Sequence, residues 1–201
     1  AIDSIVKTMM KTYNKEQAIV YNTIQMYRID RLDYLKKLHE DSKENGYFIG
    51  VKVVRGAYLE KENERARKMG YPTPIQPNKE ACNEDYDSAL KYACENIHGI
   101  SICAGTHNEK SSLLLTHLMQ LFNIERNNQK IYFSQLLGMS DHISYNLANK
   151  GYNTVKYVPY GPVKEVLPYL IRRAEENRSI AGQTGRELNL IIQEIKRRKS
   201  N

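Results

Sequence analysis

The sequence predicts an α/β fold built on a parallel sheet, and three observations carry that expectation. Short runs rich in β-branched residues alternate with longer stretches of helical period, the pattern of βαβ units. About five such alternations follow one another, with no internal repeat, low-complexity tract or linker between them, so residues 1–201 are expected to form one domain. The 201 residues are 41% hydrophobic and 26% charged with only 11 Gly and 6 Pro, which is enough to bury a sizeable core and lacks the bias of disordered or collagen-like chains.

Residues 1–11 (AIDSIVKTMMK) are amphipathic and lack the basic-then-apolar order of a signal peptide. Strands are expected over residues 19–25, 48–55, 100–104, 131–135 and 154–158, each followed by a turn and a helix. The helices between them are expected over 31–44, 59–69, 84–96, 108–122 and 141–150. Residues 71–79 carry Pro72, Pro74 and Pro77, which exclude a regular ladder or helix, so this segment is a loop. After the fifth strand, Gly161 and Pro162 precede a helix to Asn177, a loop holding Gly182 and Gly185, and a last helix over 186–199. Pro168 either kinks the first of these helices or restarts it.

Several function classes are excluded early. The most continuous apolar run, 113–122, is broken by Thr116, His117 and Gln120, far short of the roughly 20 apolar residues that span a bilayer. Cys82, Cys94 and Cys103 are odd in number and lack CxxC spacing, which argues for plain thiols over a disulfide framework or zinc site. His107 and His117 have neither the spacing nor the nearby acids of a metal pair, so no metal is expected. There is no GxSxG elbow, P-loop, HExxH or GxGxxG. The net charge of +7 is interleaved with acids except at 196–199 (KRRK), where cations complement a helix C-terminus. Such an excess suits an anionic small molecule or acidic lipid headgroups as well as nucleic acid. A basic nucleic-acid module would show binding that weakens steeply with salt.

In a parallel sheet, polar residues at the C-terminal strand ends converge on one side, where α/β folds place their sites. Here those ends carry Gln25, Arg55 with Gly56, Thr106 with His107 and Asn108, Gln135, and Tyr157. Almost none is acidic, which suits an electron-rich or anionic ligand; the same residues also suit capping and turning. In the helix after Pro162, Tyr169, Arg172, Arg173 and Glu176 fall at i, i+3, i+4 and i+7 and share one face. Two guanidinium forks beside a tyrosine can clamp a small carboxylate, with Glu176 holding one fork; the plain alternative is a solvated face laced with ion pairs.

The stretches 50–58 (GVKVVRGAY), 103–108 (CAGTHN), 132–139 (YFSQLLGM), 156–162 (KYVPYGP) and 169–173 (YLIRR) closely resemble proline dehydrogenase, in order and over essentially the whole chain. The resemblance implies a flavoenzyme on a distorted (β/α)8 barrel that oxidises L-proline to 1-pyrroline-5-carboxylate. FAD is then the cofactor and a membrane quinone the electron acceptor, and the protein is cytoplasmic or peripheral on the inner face of a bacterial membrane, or alternatively mitochondrial; no nucleic acid is implied. By position, Tyr157, Tyr169, Arg172 and Arg173 look like the proline site, with Leu136 and Tyr58 as walls around the ring. In hydroxyproline enzymes the aromatic at Tyr157 is smaller, so its presence favours proline over 4-hydroxyproline, which stays the alternative substrate. Gln25, Lys52, Val54, Arg55, Gly56, Ala57, Thr106, His107, Asn108, Gln135 and Glu176 match positions that hold FAD, with Lys52, the catalytic candidate, next to the flavin N5. Many bacterial members have Arg where this chain has Lys52; mitochondrial-type members have Lys, which keeps the charge and loses the bidentate fork.

About five strand–helix units cannot close an eight-stranded barrel and leave two open sheet edges. The chain is therefore expected to supply the C-terminal two-thirds of the catalytic domain, to lack the family's upstream lysine and aspartate, and to be inactive alone. A non-catalytic fragment that gains flavin only with the missing region is the competing reading.

Overall fold

The computed structural model describes residues 2–179 and 183–199, except for the side chains of 172, 174–179, 183–188, 190 and 191. Two compact units divide it, Ala1–Tyr157 and Val158–Asn201. In the first, helix α1 (Ile2–Tyr13) leads into β1 (Tyr21–Gln25), α2 (Arg31–Asn45), β2 (Ile49–Val54), α3 (Leu59–Met69), α4 (Lys79–Glu95), β3 (Ile100–Gly105), α5 (Glu109–Leu121), β4 (Ile131–Leu136), α6 (Asp141–Asn149) and β5 (Thr154–Tyr157). The five strands lie in sequence order and every neighbouring pair is parallel.

Side-chain alternation explains how the sheet divides. Ile24, Val51, Val53, Ile102 and Phe133 point to the face covered by helices and are fully buried. They pack with Leu35 and Leu38 of α2, Tyr86 and Leu90 of α4, and Leu115 and Met119 of α5 into one core. The registers Thr23↔Lys52, Lys52↔Cys103 and Leu136↔Tyr157 put the alternate residues on the opposite face, where Gln25, Lys52, Val54 and Cys103 are only half-buried. Burial pushes the thiols of Cys82, Cys94 and Cys103 up, that of Cys94 to about 12, and all three are unpaired. Among the described residues no helix is long and apolar enough to cross a membrane, and no His, Cys, Asp and Glu cluster suits a metal ion.

The first strand begins at Tyr21, two residues later than its β-rich run suggests, because Asn14 takes over the ladder's work. Its buried amide accepts from the N–H groups of Ile19 (3.0 Å) and Val20 (2.8 Å) and donates to the carbonyls of Val20 (2.9 Å) and Phe48 (3.0 Å). Helix α4 starts at Lys79, five residues before the expected 84, since the Asn78 side chain caps it by accepting from the Ala81 N–H at 2.8 Å. The proline segment is a loop, joined to the turn after β1 by a single antiparallel bridge between Arg28 and Ile75.

The turn after β1 is also fixed electrostatically. Arg31 donates from Nη2 and Nε to Asp30 (2.5 and 2.8 Å) and from Nη1 to Asp3 (2.8 Å), tying α1 to α2. These Arg31 bonds, against the opposing effect of burial and with help from Arg28, hold the Asp30 carboxyl down to about 2. Its folded pKa lies below the unfolded value near 3.9, so the stabilisation is complete above about pH 4 and fades as pH falls toward 2. Asp30→Asn should lower stability at pH 7 and flatten its decline between pH 4 and 2, as read by urea unfolding; an unchanged slope would speak against the pair.

The second unit holds α7 (Val163–Ser179) and α8 (Gln183–Lys199). Helix α7 runs through Pro168 without a break, and α8 begins ahead of Gly185, which lies inside the helix and not in the expected loop.

Candidate functional site

The parallel registers bring the strand ends to one edge of the sheet: Gln25 faces Val54, Gly105 faces Ser134, and Leu136 faces Tyr157. Lys52, in the middle of β2, extends on the half-open face until its Nζ lies 5.3 Å from the centroid of the Tyr157 ring, three strands away. A cation over that ring's face is attracted by the ring quadrupole. The two residues expected on the cofactor and substrate sides thus meet directly. Leu136 is buried at the end of β4, while Tyr58 is exposed and precedes α3, with Lys61 Nζ 5.9 Å from its ring.

The loops after β2 and β3 form one hydrogen-bonded group. Arg55 donates from Nε to Asn83 Oδ1 (2.6 Å), from Nη1 to Thr106 Oγ1 (2.8 Å) and from Nη2 to Ser111 Oγ (2.8 Å). Its Cζ also sits 4.2 Å from the centroid of the fully buried Tyr86 ring. Ser111 Oγ donates a hydrogen bond to Asp87 Oδ1 at 2.6 Å, so a hydroxyl links the guanidinium to a carboxylate. Asn108 caps α5, accepting from the Ser111 N–H at 3.2 Å, and its own N–H donates to Thr106 Oγ1 at 3.0 Å. Gln135 is buried on the helix side, donating to the Thr106 carbonyl (3.1 Å) and accepting from Ser144 Oγ (2.9 Å). His107 Nδ1 and Ser140 Oγ are 3.0 Å apart, which joins the loop after β3 to the start of α6.

Of the residues singled out from the sequence, Gln25, Lys52, Val54 and Tyr157 therefore share the half-open face. Arg55 and Gln135 engage protein partners on the helix side instead. Gly56 has φ +105° and packs against Tyr27, and half-buried Ala57 follows it in the loop. In the second unit, Arg173 Cζ lies 5.1 Å from the Tyr169 ring centroid. The side chains of Arg172 and Glu176 lie outside the described residues. The sequence reading missed Asn83, Tyr86, Asp87 and Ser111. A signal existed: Asn83, Tyr86 and Asp87 fall at i, i+3 and i+4, so α4 carries polar groups on one face beside its apolar Cys82, Ala89, Leu90 and Ala93.

The donors on the half-open face include the Gln25 amide and the Lys52 ammonium, which fits a ligand rich in nitrogen and oxygen acceptors. FAD is such a ligand.

Comparisons with known proteins show the family and the fold. The sequence profile described as proline dehydrogenase matches residues 1–186. Proline dehydrogenase 1, mitochondrial, of Drosophila melanogaster is 38% identical over 208 residues, covering 98% of this chain and 30% of its own length. Hydroxyproline dehydrogenase of Bos taurus is 42% identical over 183 residues, 89% of this chain and 40% of that protein. The crystal structure of proline utilization A (PutA) from Bdellovibrio bacteriovorus inactivated by N-propargylglycine superposes with a TM-score of 0.81 at 27% identity, covering 88% of this chain and 18% of that one. The chain spans about a third of the length of the first of these relatives, and its five strand–helix units match part of a (β/α)8-type barrel. With the profile running through all but the end of the sequence, the chain belongs to the proline dehydrogenase family.

Proposed function

We propose that this chain is the larger part of the catalytic domain of an FAD-dependent proline dehydrogenase, with further strands supplied elsewhere in the protein. The observation that carries this reading is the Lys52–Tyr157 pair on the half-open face of a family-matched sheet. Gln25, Lys52, Val54, Gly56, Ala57 and the turn from Thr106 to Asn108 would hold FAD, and Glu176 is assigned there by resemblance. FAD, when bound, supplies a two-electron acceptor for a hydride.

The protein's work is then orientation and electrostatics. By resemblance, Arg172 and Arg173 would bind the proline carboxylate, and Tyr169, Tyr157, Leu136 and Tyr58 are the residues assigned to the pyrrolidine ring. The ring carbon beside the nitrogen that does not bear the carboxylate would lose hydride and the nitrogen its proton to solvent, leaving the C=N bond of 1-pyrroline-5-carboxylate. By resemblance, Lys52 would set its ammonium beside the flavin N5, where positive charge favours the arriving electron pair. Electrons pass on to a quinone, which calls for peripheral contact with a membrane surface. Lys at position 52 and relatives named as mitochondrial favour the mitochondrial setting over a bacterial one.

The identity to the bovine hydroxyproline enzyme keeps 4-hydroxyproline as the second substrate reading, against which the bulk of Tyr157 argues. The test is flavin absorbance and dye reduction by the full-length protein and by residues 1–201 alone. Expected are a yellow full-length protein that reduces dye with proline faster than with 4-hydroxyproline, and an inert 1–201 chain. A full-length protein with neither flavin nor proline-dependent reduction would overturn the reading.

A further inference from the structure

We infer that Arg55 is a positioning residue for the cofactor turn, acting through Thr106, and not itself a ligand of the cofactor; this rests on the FAD reading above. Each guanidinium nitrogen donates to a protein partner, Asn83, Thr106 or Ser111, at 2.6–2.8 Å, which uses three of the five N–H donors. The flat side of the guanidinium lies against the Tyr86 ring. The planar fork is therefore fixed in three directions and stacked on a fourth, a geometry that a compact ammonium cannot reproduce.

Thr106 is where this constraint is delivered. Its N–H donates to the Ser134 carbonyl at 3.1 Å, its carbonyl accepts from Gln135, and its Oγ1 accepts both from Arg55 and from the Asn108 N–H. Backbone and side chain of Thr106 are thus held from β2, from β4 and from the cap of α5 at once. The turn carrying His107 and Asn108 is therefore anchored at Thr106 by Arg55 and its other partners. Removing the fork frees Thr106 Oγ1 to rotate and leaves Asn83 and the Ser111–Asp87 pair without their common donor.

Two roles for Arg55 predict different results. A direct contact with the anionic part of FAD depends on charge, which Lys keeps. Positioning depends on the three-way fork, which Lys loses. FAD affinity is measured by titrating the apo form of the full-length enzyme with FAD and following flavin fluorescence, alongside the thermal midpoint of each apo protein. Expected for positioning are Arg55→Lys and Arg55→Gln weakened to within about threefold of each other, both by at least about tenfold, or about 1.4 kcal/mol of binding. Thr106→Val should weaken binding similarly, Thr106→Ser should bind like wild type, and Arg55→Gln combined with Thr106→Val should be no weaker than the weaker single variant within about threefold.

Wild-type-like binding by Arg55→Lys, or losses that multiply in the double variant, would overturn positioning in favour of direct contact. A lowered thermal midpoint with unchanged FAD affinity would reduce Arg55 to a structural residue and also overturn it. Where Arg55→Gln fails to fold, the Val and Ser variants of Thr106 decide: equal affinity of both would overturn the proposal. A wild-type protein that binds no FAD would instead overturn the reading on which the proposal rests.

Discussion

Gly56→Ala should be the most destabilising single-methyl change in the chain. Gly56 has φ +105°, outside the left-handed basin that Asn or Asp tolerate, so any side chain there is strained by about 1–3 kcal/mol. A Cβ would also enter the Tyr27 ring, overlapping Cδ1 and lying 2.5 Å from Cε1 and 2.8 Å from Cγ. The ring cannot swing aside cheaply. Tyr27 is 5% exposed, its N–H donates to the Arg55 carbonyl at 2.7 Å, and its carbonyl accepts from the Gln76 N–H at 2.8 Å. Overpacking of this kind adds about 1–3 kcal/mol. Together these reach about 2–6 kcal/mol, a large share of the 5–15 kcal/mol that holds a domain folded.

The expected result is an insoluble protein or a melting point lower by roughly 5–20 °C in the full-length enzyme. Combining it with Tyr27→Ala relieves the overlap and leaves the backbone strain, so the double variant should lose less than the sum of the singles. A Gly56→Ala protein melting within about 2 °C of wild type would contradict this account.

Most of the architecture was legible because period reports burial. Val51 and Val53 alternate with Lys52, and the structure buries the first two and half-exposes the third. The misreadings came where one polar side chain does a local job that no period announces. Asn14 satisfies the backbone ahead of β1, and Asn78 starts α4 early; both are ordinary loop residues by composition. Gly185 and Pro168 look like breakers, yet a single glycine costs a helix only about 1 kcal/mol, and both helices continue past them.

Strand-end logic brings the candidate residues to one edge of the sheet but does not tell which side each residue faces. Position 54 and position 55 differ by one step of the pleat, so Val54 lies on the half-open face and Arg55 turns under the loop to Asn83 and Ser111. A resemblance assigned by position treats the two alike. The pleat separates them.

Arg173→Ala should then abolish most of the discrimination for proline while sparing flavin. Tyr169 and Arg173 are one helical turn apart on α7, and the guanidinium lies over the tyrosine ring at 5.1 Å, a placement that would pre-set the fork for the carboxylate of the proposed substrate. Preorganisation matters because an arginine side chain that must be ordered on binding forfeits about 0.5–1.5 kcal/mol. Stripping one partner from a charge-assisted pair costs about 2–5 kcal/mol, so kcat/KM for proline should fall by roughly 30-fold to several thousandfold, mostly through KM. Arg172→Ala should act in the same direction, and Arg173→Lys should recover little, since an ammonium cannot make two parallel bonds to one carboxylate. The control is pyrrolidine, which has the ring and lacks the carboxylate. Wild type and Arg173→Ala should oxidise it at similarly low rates, because the lost interaction has nothing to act on. If Arg173→Ala loses flavin in step with its affinity for proline, or slows pyrrolidine as much as proline, the residue holds the domain or the cofactor and does not clamp the carboxylate.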